Sequence, residues 1–561
     1  MLETKFRNKN ILGGKRIMLK KRLCMLIATL LVAVLFVAAC GGAAPDAPDP
    51  GDGGAEVETP APPDDDEDDD DGDDAPVGDG DRDTVIVAVA GDATNLDLHR
   101  ANDSPTALVS RHIYDTLVIM DNDGNILPSL ATSWSQVDDT TWEFVLREDV
   151  YFHNGDHFTA DCVVFNFQRA LEEEAGIIFP IVEMINPATT VAIDTYVVHI
   201  GLEFPFAPVL AHLAHPAAGI VNQRAVEEFG EDLGENPVGT GPFMFYSWDP
   251  QHSIVLQRNP NYWGNAPAFE FLATRVIPDA GARTIELETG AVDIAIEVAP
   301  LDIPRIEAHP DLVFEEIDGM GQTFMYMNNE VPGLDDVRVR QAIIYALDVE
   351  LIVEVVWEGT RVFSDSVIPP NVWGSVPGLN TRRQNVDRAL ELMEEAGVDS
   401  LSLTITTNEN QRRIDMATIM QQDLAAIGID ISIEVMEWGA FLEMLNLNDG
   451  SHELVILGWT TVTGDADYGL FPIYHSTMHG SGGNRANFAN ARVDELLDLA
   501  RTETDNAARL AAYREAQEII FEYAPTVLID FTTWPVGLSN QIQGFEISMA
   551  GHHNFANITF R

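Results

Sequence analysis

Beyond residue 83 the chain alternates between short β-branched runs and stretches with helical spacing. Thr84-Val85-Ile86-Val87-Ala88-Val89-Ala90 has the length and branching of a buried strand. Residues 142–147 alternate apolar and polar as a half-buried strand does, and residues 160–171 carry helical spacing. Residues 244–248 and 254–258 predict two strands around the turn Asp249-Pro250. This half reads as mixed α+β.

From Asp335 onward the punctuation changes. Residues 386–396 predict a helix closed by Gly397, residues 401–406 a strand, and residues 412–427 a longer helix closed by Gly428. Strands follow at 429–435 and 454–458, and a last long helix at 505–523 leads into a strand at 526–531. Helix and strand alternating at this spacing imply βαβ units and a largely parallel sheet covered by helices. No solenoid-length repeat is visible. Two dissimilar lobes with few crossings predict an α/β clamshell, and the gap between such lobes is where a small ligand binds.

The N-terminus adds an address. An apolar run at 23–39 is preceded by Lys20-Lys21-Arg22 and closed by Val37-Ala38-Ala39-Cys40-Gly41-Gly42, which reads as a signal peptide whose own start is Met18. The run falls short of the ~20 residues a membrane span needs. The small residues ending at cysteine resemble a bacterial lipobox, in which Cys40 is diacylated and becomes the first mature residue. Residues 41–83 are Gly, Ala, Pro and acid, including Asp64-Asp65-Asp66-Glu67-Asp68-Asp69-Asp70-Asp71, and predict an extended acidic tether. A calcium loop there would need a closing glutamate where Gly78 stands. With Cys24 in the signal and Cys40 under lipid, Cys162 is the one thiol left in the body, so no internal disulfide can form.

Charge excludes some partners. The chain has 90 acidic against 32 basic residues, and no lysine follows Lys21. Such a surface disfavours nucleic acid and anionic membrane, which need cations to displace their counterions. No His-Glu-x-x-His, Gly-x-Ser-x-Gly or Gly-Lys-Ser motif marks an enzyme; scattered carboxylates leave an exported hydrolase as the remaining enzyme alternative.

Several segments in order resemble the extracellular solute-binding proteins of dipeptide, oligopeptide and nickel ABC importers, family 5. They are Thr94-Asn95-Leu96-Asp97, Tyr114-Asp115-Thr116-Leu117, Leu127-Pro128-Ser129-Leu130-Ala131-Thr132-Ser133-Trp134 and Leu146-Arg147-Glu148-Asp149-Val150-Tyr151-Phe152-His153-Asn154-Gly155. Further on come Val238-Gly239-Thr240-Gly241-Pro242-Phe243, Arg258-Asn259-Pro260-Asn261-Tyr262-Trp263 and Val337-Arg338-Val339-Arg340-Gln341-Ala342. Cys162 departs from the pattern, where the family usually has an acid. The resemblance implies a type II periplasmic-binding-protein-like fold. Its lobes are residues 84–324 plus 532–561, with an inserted subdomain at about 125–237, and residues 325–531. It further implies a lipid-anchored monomer without cofactor that captures peptides outside the cell and hands them to permease and ATPase subunits.

A peptide is a zwitterion, so its receptor needs a carboxylate, a cation and extended backbone pairing between them. For the carboxylate the resemblance points to the segment after Trp459, with Asp465 first and Asp467 second; the competing role for both is capping the next turn. Trp459 either stacks on ligand or joins the core. For the cation, Arg412 and Arg413 stand at the start of a helix where similar proteins hold the ligand carboxylate, with Arg361 a further candidate. Because the family includes nickel-chelate receptors, His475 and His479, four apart, are candidates to offer imidazole to a metal complex on one helical turn.

Arginine keeps its charge where lysine begins to lose it, so the acid-rich, arginine-only body predicts a saline or alkaline exterior. Resistance to unfolding is expected to rise with added salt and to persist into alkaline buffer. Maximal stability in low salt near neutrality would overturn that expectation.

Overall fold

The computed structural model describes residues 83–172, 178–447 and 452–561. The signal peptide, Cys40 and the tether up to residue 82 lie outside the described residues. All described residues belong to one compact unit, 76–561.

The architecture turns on two long antiparallel strands, Leu312–Met327 and Thr526–Ser539. Leu312 to Asp318 pair with Ser539 back to Thr533, and Gln322 to Tyr326 pair with Phe531 back to Thr526. Between the two stretches the register shifts at Asp318/Gln322. The first stretch is flanked, across Ile294–Ile296, by the parallel strands Thr84–Val89 and Phe271–Val276 and then by the hairpin Ser253–Arg258 and Phe243–Asp249. The second stretch is flanked by Leu454–Thr460, Leu401–Asn408 and Ile429–Met436, the last two parallel from Leu401↔Ile429 to Asn408↔Met436. One path of hydrogen-bonded strands therefore runs through both halves, and the chain crosses between them on the two long strands. This is the two-lobed clamshell.

Local chemistry explains the elements. Helix Val386–Ala396 stops because Gly397 takes φ 73°, a left-handed conformation that costs glycine nothing. Helix Gln411–Ala425 starts under the Asn410 side chain, which accepts from the amides of Arg412 and Arg413. The βαβ alternation expected beyond Asp335 is present: the helix lies between two parallel strands, and Met416, Ala417, Met420 and Leu424 bury one face against Leu403, Ile405, Ile429 and Ile431.

In the first half a separate four-stranded antiparallel sheet runs in the order Ala131–Asp138, Thr141–Leu146, Val197–Gly201 and Val191–Asp194. Its core of Phe144, Phe158, Val163, Phe167, Val198 and Ile200 also contains Val462 and Tyr468, which come from the second half. The two halves are thus packed together at this edge.

Four buried imidazoles, His99, His112, His552 and His553, are each held down to about 3, by burial first and then by a nearby arginine. The unfolded chain protonates histidine near ~6.5, so between these values it binds more protons than the fold, and stability falls as pH falls. Burial raises Asp103, Asp115, Glu183, Asp423 and Asp465, which act the other way. The four histidines, joined by His153, held down to about 4, and by His215, also lowered by burial, are expected to outweigh these carboxyls. The melting temperature should decline steadily as pH is lowered from about 6.5 towards about 3; a flat profile down to pH ~4 would contradict the burial assigned to these rings.

Candidate functional site

A cleft of about 1280 Å³ opens where the two halves face each other across the crossing strands. Aromatic side chains line much of it, among them Tyr326, Trp357, Trp438, Trp459 and Tyr468. Its floor is the crossing strand itself, with Gln322, Thr323 and Tyr326 facing the gap. Asn102 on the first-half wall donates to the Tyr468 hydroxyl of the second half at 3.1 Å.

Of the expected cations, Arg413 stands out. It lines the cleft, its Nη1 donates to Asn408 Oδ1 at 2.8 Å, and no carboxylate among the described residues lies within ion-pair distance. Burial pulls its guanidinium down to about 10. At Gly458 a Cβ would stand 3.2 Å from the Gln322 carbonyl and an ordinary 3.8 Å from Arg413 Nη2, so the guanidinium packs beside the strand. Tyr326 lies close enough to act electrostatically on Arg413, and its buried hydroxyl has no hydrogen-bond partner. The Tyr326 hydroxyl therefore lacks an acceptor, in a site where an unmet polar group costs about 1–3 kcal/mol, while Arg413 has a neutral amide oxygen and no counter-charge.

Arg412 gives Nη1 to the Val356 carbonyl at 2.8 Å. Arg361 pairs with the fully buried Asp530 at 2.9 Å and stacks 3.6 Å over Trp357. Asp530 also accepts from Trp357 Nε1 at 3.1 Å and Thr323 Oγ1 at 3.1 Å, which spends its charge. Both Arg361 and Arg412 line the cleft: Arg361 has its charge matched by Asp530, whereas Arg412, like Arg413, has a neutral oxygen partner and no carboxylate within ion-pair distance among the described residues.

The carboxylates expected after Trp459 are also spoken for. Asp465 caps helix Ala466–Tyr474, taking the Asp467 amide at 2.9 Å, and accepts Arg509 Nη2 on both oxygens at 3.0 and 2.9 Å. Tyr513 adds a third bond at 3.3 Å. Burial raises this carboxyl although Arg509 opposes it. Neither Asp465 nor Asp467 lines the cleft. The capping role, not the ligand-facing one, accounts for Asp465: a buried helix N-terminus and a buried guanidinium both need an acceptor.

Asp467 sits in a buried charge cluster joining the two halves. Its Oδ1 is 3.0 Å from Arg501 Nε, and its Oδ2 is 3.2 Å from His212 Nε2; Arg501 Nη1 reaches Glu183 at 2.5 Å. Burial alone would raise the Asp467 carboxyl, but Arg501 and then His212 outweigh it and hold it low. Arg501 lies 3.6 Å over the Phe471 ring, and its carbonyl accepts the Ala207 amide at 2.9 Å. His212 sits near the end of the short helix Val209–Leu213 and pins the first half to the second through Asp467.

Trp459 lines the cleft with Nε1 donating to the Tyr468 carbonyl at 2.9 Å, its ring 5.2 Å from that of Tyr468. The histidine pair does not meet on a helical turn. His475 stacks at 4.2 Å on Phe471 and turns Nε2 to Asp498 at 3.5 Å, while His479 Nε2 bonds the Phe488 carbonyl at 3.0 Å. The chain between them is a 3-10 turn, Ser476–Met478, which separates their rings. Neither lines the cleft, and no group of three metal-ligating side chains occurs among the described residues.

Sequence reasoning passed over Gln322, Tyr326, Asp530 and Glu297. Gln322 in the run Gly319-Met320-Gly321-Gln322-Thr323 was the available signal, because an amide inside an otherwise buried strand needs partners. Its Nε2 finds Ser364 and the Ser366 carbonyl, leaving Oε1 without a donor.

Comparisons with known proteins agree with this geometry. The dipeptide-binding protein of Escherichia coli K12 is 29% identical over 468 residues, covering 77% of this chain and 86% of that protein. The solved structure of the Helicobacter pylori ABC transporter-associated periplasmic binding protein DppA, in complex with the peptide STSA, superimposes with TM-score 0.80 at 27% identity, covering 85% of this chain and 98% of that one. A dipeptide-binding protein from Pseudoalteromonas sp. SM9913 in complex with Met-Leu gives TM-score 0.80 at 25% identity, over 85% of this chain and 100% of that one. Residues 125–481, more than half of the chain, match the bacterial extracellular solute-binding proteins, family 5 Middle. The protein belongs to that family of receptors.

Proposed function

We propose that this protein is the peptide-capturing receptor of an ABC importer, tethered by lipid on Cys40 to the outer face of the cell membrane and working as a monomer without cofactor. The lobes are residues 84–324 with 532–561, carrying the subdomain at about 125–237, and residues 325–531. Peptide enters the cleft, its carboxylate is taken by Arg413 and the Tyr326 hydroxyl, and contacts to both lobes favour the closed form that the permease recognises. Arg413 carries this reading. A buried guanidinium with no carboxylate partner, beside a hydroxyl with no acceptor, is a site left open for an anion, and the binding of Met-Leu and of STSA by similar proteins points to a peptide.

Calorimetry with Met-Leu and Ser-Thr-Ser-Ala tests the site. Arg413→Gln is expected to weaken binding by about 2–5 kcal/mol while leaving the melting temperature nearly unchanged, since no carboxylate is orphaned. Asp465→Asn should do the reverse, lowering the melting temperature because Arg509 loses its counter-charge, with about 3–5 kcal/mol of stability at stake. Unchanged affinity in Arg413→Gln would remove that residue from the site. For the anchor, mass spectrometry of the membrane fraction should find diacylglycerol on Cys40, and Cys40→Ser should release the protein from the membrane. Retention of an unprocessed residue 1–39 segment would refute lipid anchoring.

A further inference from the structure

The carboxylates of the cleft differ in how much of their charge is already spent. Asp92 accepts Trp248 Nε1 at 3.0 Å and the Gln251 amide at 2.8 Å, and Asp103 accepts from Thr94 and from Thr106. Asp279 and Glu437 take the amides of Ala282 at 2.7 Å and Ala440 at 3.0 Å. Glu297 accepts no hydrogen bond among the described residues, and its side chain is 43% exposed to the gap.

Its backbone is the second observation. Glu297 has φ 56°, a left-handed conformation that a residue with a Cβ rarely adopts. Strain of this kind persists where the surroundings over-determine it, and it gathers at ligand clamps. Here the Arg283 guanidinium does so. It is 3% exposed and donates to the carbonyls of Ile277 at 2.8 Å, Pro278 at 3.0 Å, Ile296 at 3.0 Å and Glu297 at 2.9 Å. With those donors spent on backbone, Arg283 makes only a long ion pair with the Glu297 carboxylate, at 3.9 Å and without a hydrogen bond, so the carboxylate keeps its hydrogen-bonding capacity.

Glu297 follows strand Ile294–Ile296 on the first-half wall, whereas Arg413 stands on the second-half helix Gln411–Ala425. After burial, the charge that acts most on Arg413 is Glu297, ahead of Arg361 and Asp530, yet the two do not form an ion pair. Meanwhile the segment after Trp459 contributes Val462, an apolar side chain, to the cleft wall.

We propose that Glu297 receives the cationic end of the ligand, so that Glu297 and Arg413 hold a zwitterion from opposite walls. This rests on the cleft being a peptide site. It makes Glu297 a specificity-determining residue: the receptor discriminates a free amino terminus from a blocked one, because acetylation removes the charge that Glu297 faces while leaving the carboxylate for Arg413.

Calorimetry on the intact protein with Met-Leu and N-acetyl-Met-Leu decides it, using wild type, Glu297→Gln and Glu409→Gln. Glu409 is an exposed carboxylate on the Arg413 wall and serves as the control. Wild type and Glu409→Gln are expected to prefer the free peptide by about tenfold or more, the scale of one charge-assisted contact. Glu297→Gln should bind both peptides alike, at the affinity wild type shows for the acetylated one. If wild type binds neither peptide, the peptide reading fails and this proposal with it. If wild type binds both equally, if Glu297→Gln keeps the preference, or if Glu409→Gln is the variant that loses it, the proposal alone is overturned.

Discussion

The pairing of Leu312–Met327 with Thr526–Ser539 is the constraint on which the rest depends. Both strands run through the two halves of one continuous sheet, and the register shift between the halves lets that sheet change partners without ending. Backbone hydrogen bonds are thereby satisfied through the crossing, and the floor of the cleft consists of main chain held on both sides. Side chains placed on that floor, Gln322, Thr323 and Tyr326, inherit its rigidity. A ligand held there touches a surface common to both lobes, which is what couples occupancy to closure.

Arginine serves this acidic body in an unusual number of structural roles. Arg283 gathers four carbonyls, Arg340 binds those of Leu334 and Tyr523, and Arg485 those of Leu445 and Gly480. Arg169, Arg501 and Arg509 pair with Asp97, Asp467 and Asp465. The planar fork suits such sites, because one side chain can satisfy several acceptors at the ends of elements. Arg413 is set apart by its company: one amide oxygen, a phenol without an acceptor and open space. Glu297 differs from Asp92, Asp103, Asp279 and Glu437, whose oxygens cap helices or hold side chains, in accepting no hydrogen bond among the described residues.

The edge where the four-stranded sheet meets the second half shows how function and stability share a segment. Trp459, Val462 and Tyr468 face the cleft or the subdomain core, while Asp465 and Asp467 turn inward to arginines. The ten residues 459–468, starting at the end of one strand, thus supply a wall, a helix cap and an interlobe charge cluster. Its compactness explains why its acids are unavailable to a ligand: a buried Arg501 or Arg509 left without a partner would cost more than a solvated carboxylate gains.

Hydrophobic period, caps and glycines settled the elements beyond Asp335, because these are local signals: Gly397 and Gly428 end their helices, and Leu403 and Ile405 pack as the alternation requires. Ordered motifs carried the family, since they survive wherever the chain runs. What residues 459–468 would do was not local. Whether Asp465 faces a ligand or Arg509 depends on a helix 44 residues away in sequence, and the fold decides that Arg412 meets the Val356 carbonyl and Arg413 the Asn408 side chain. Residue type announces charge, but only tertiary packing decides which charges are already neutralised, and a binding site is made of those that are not.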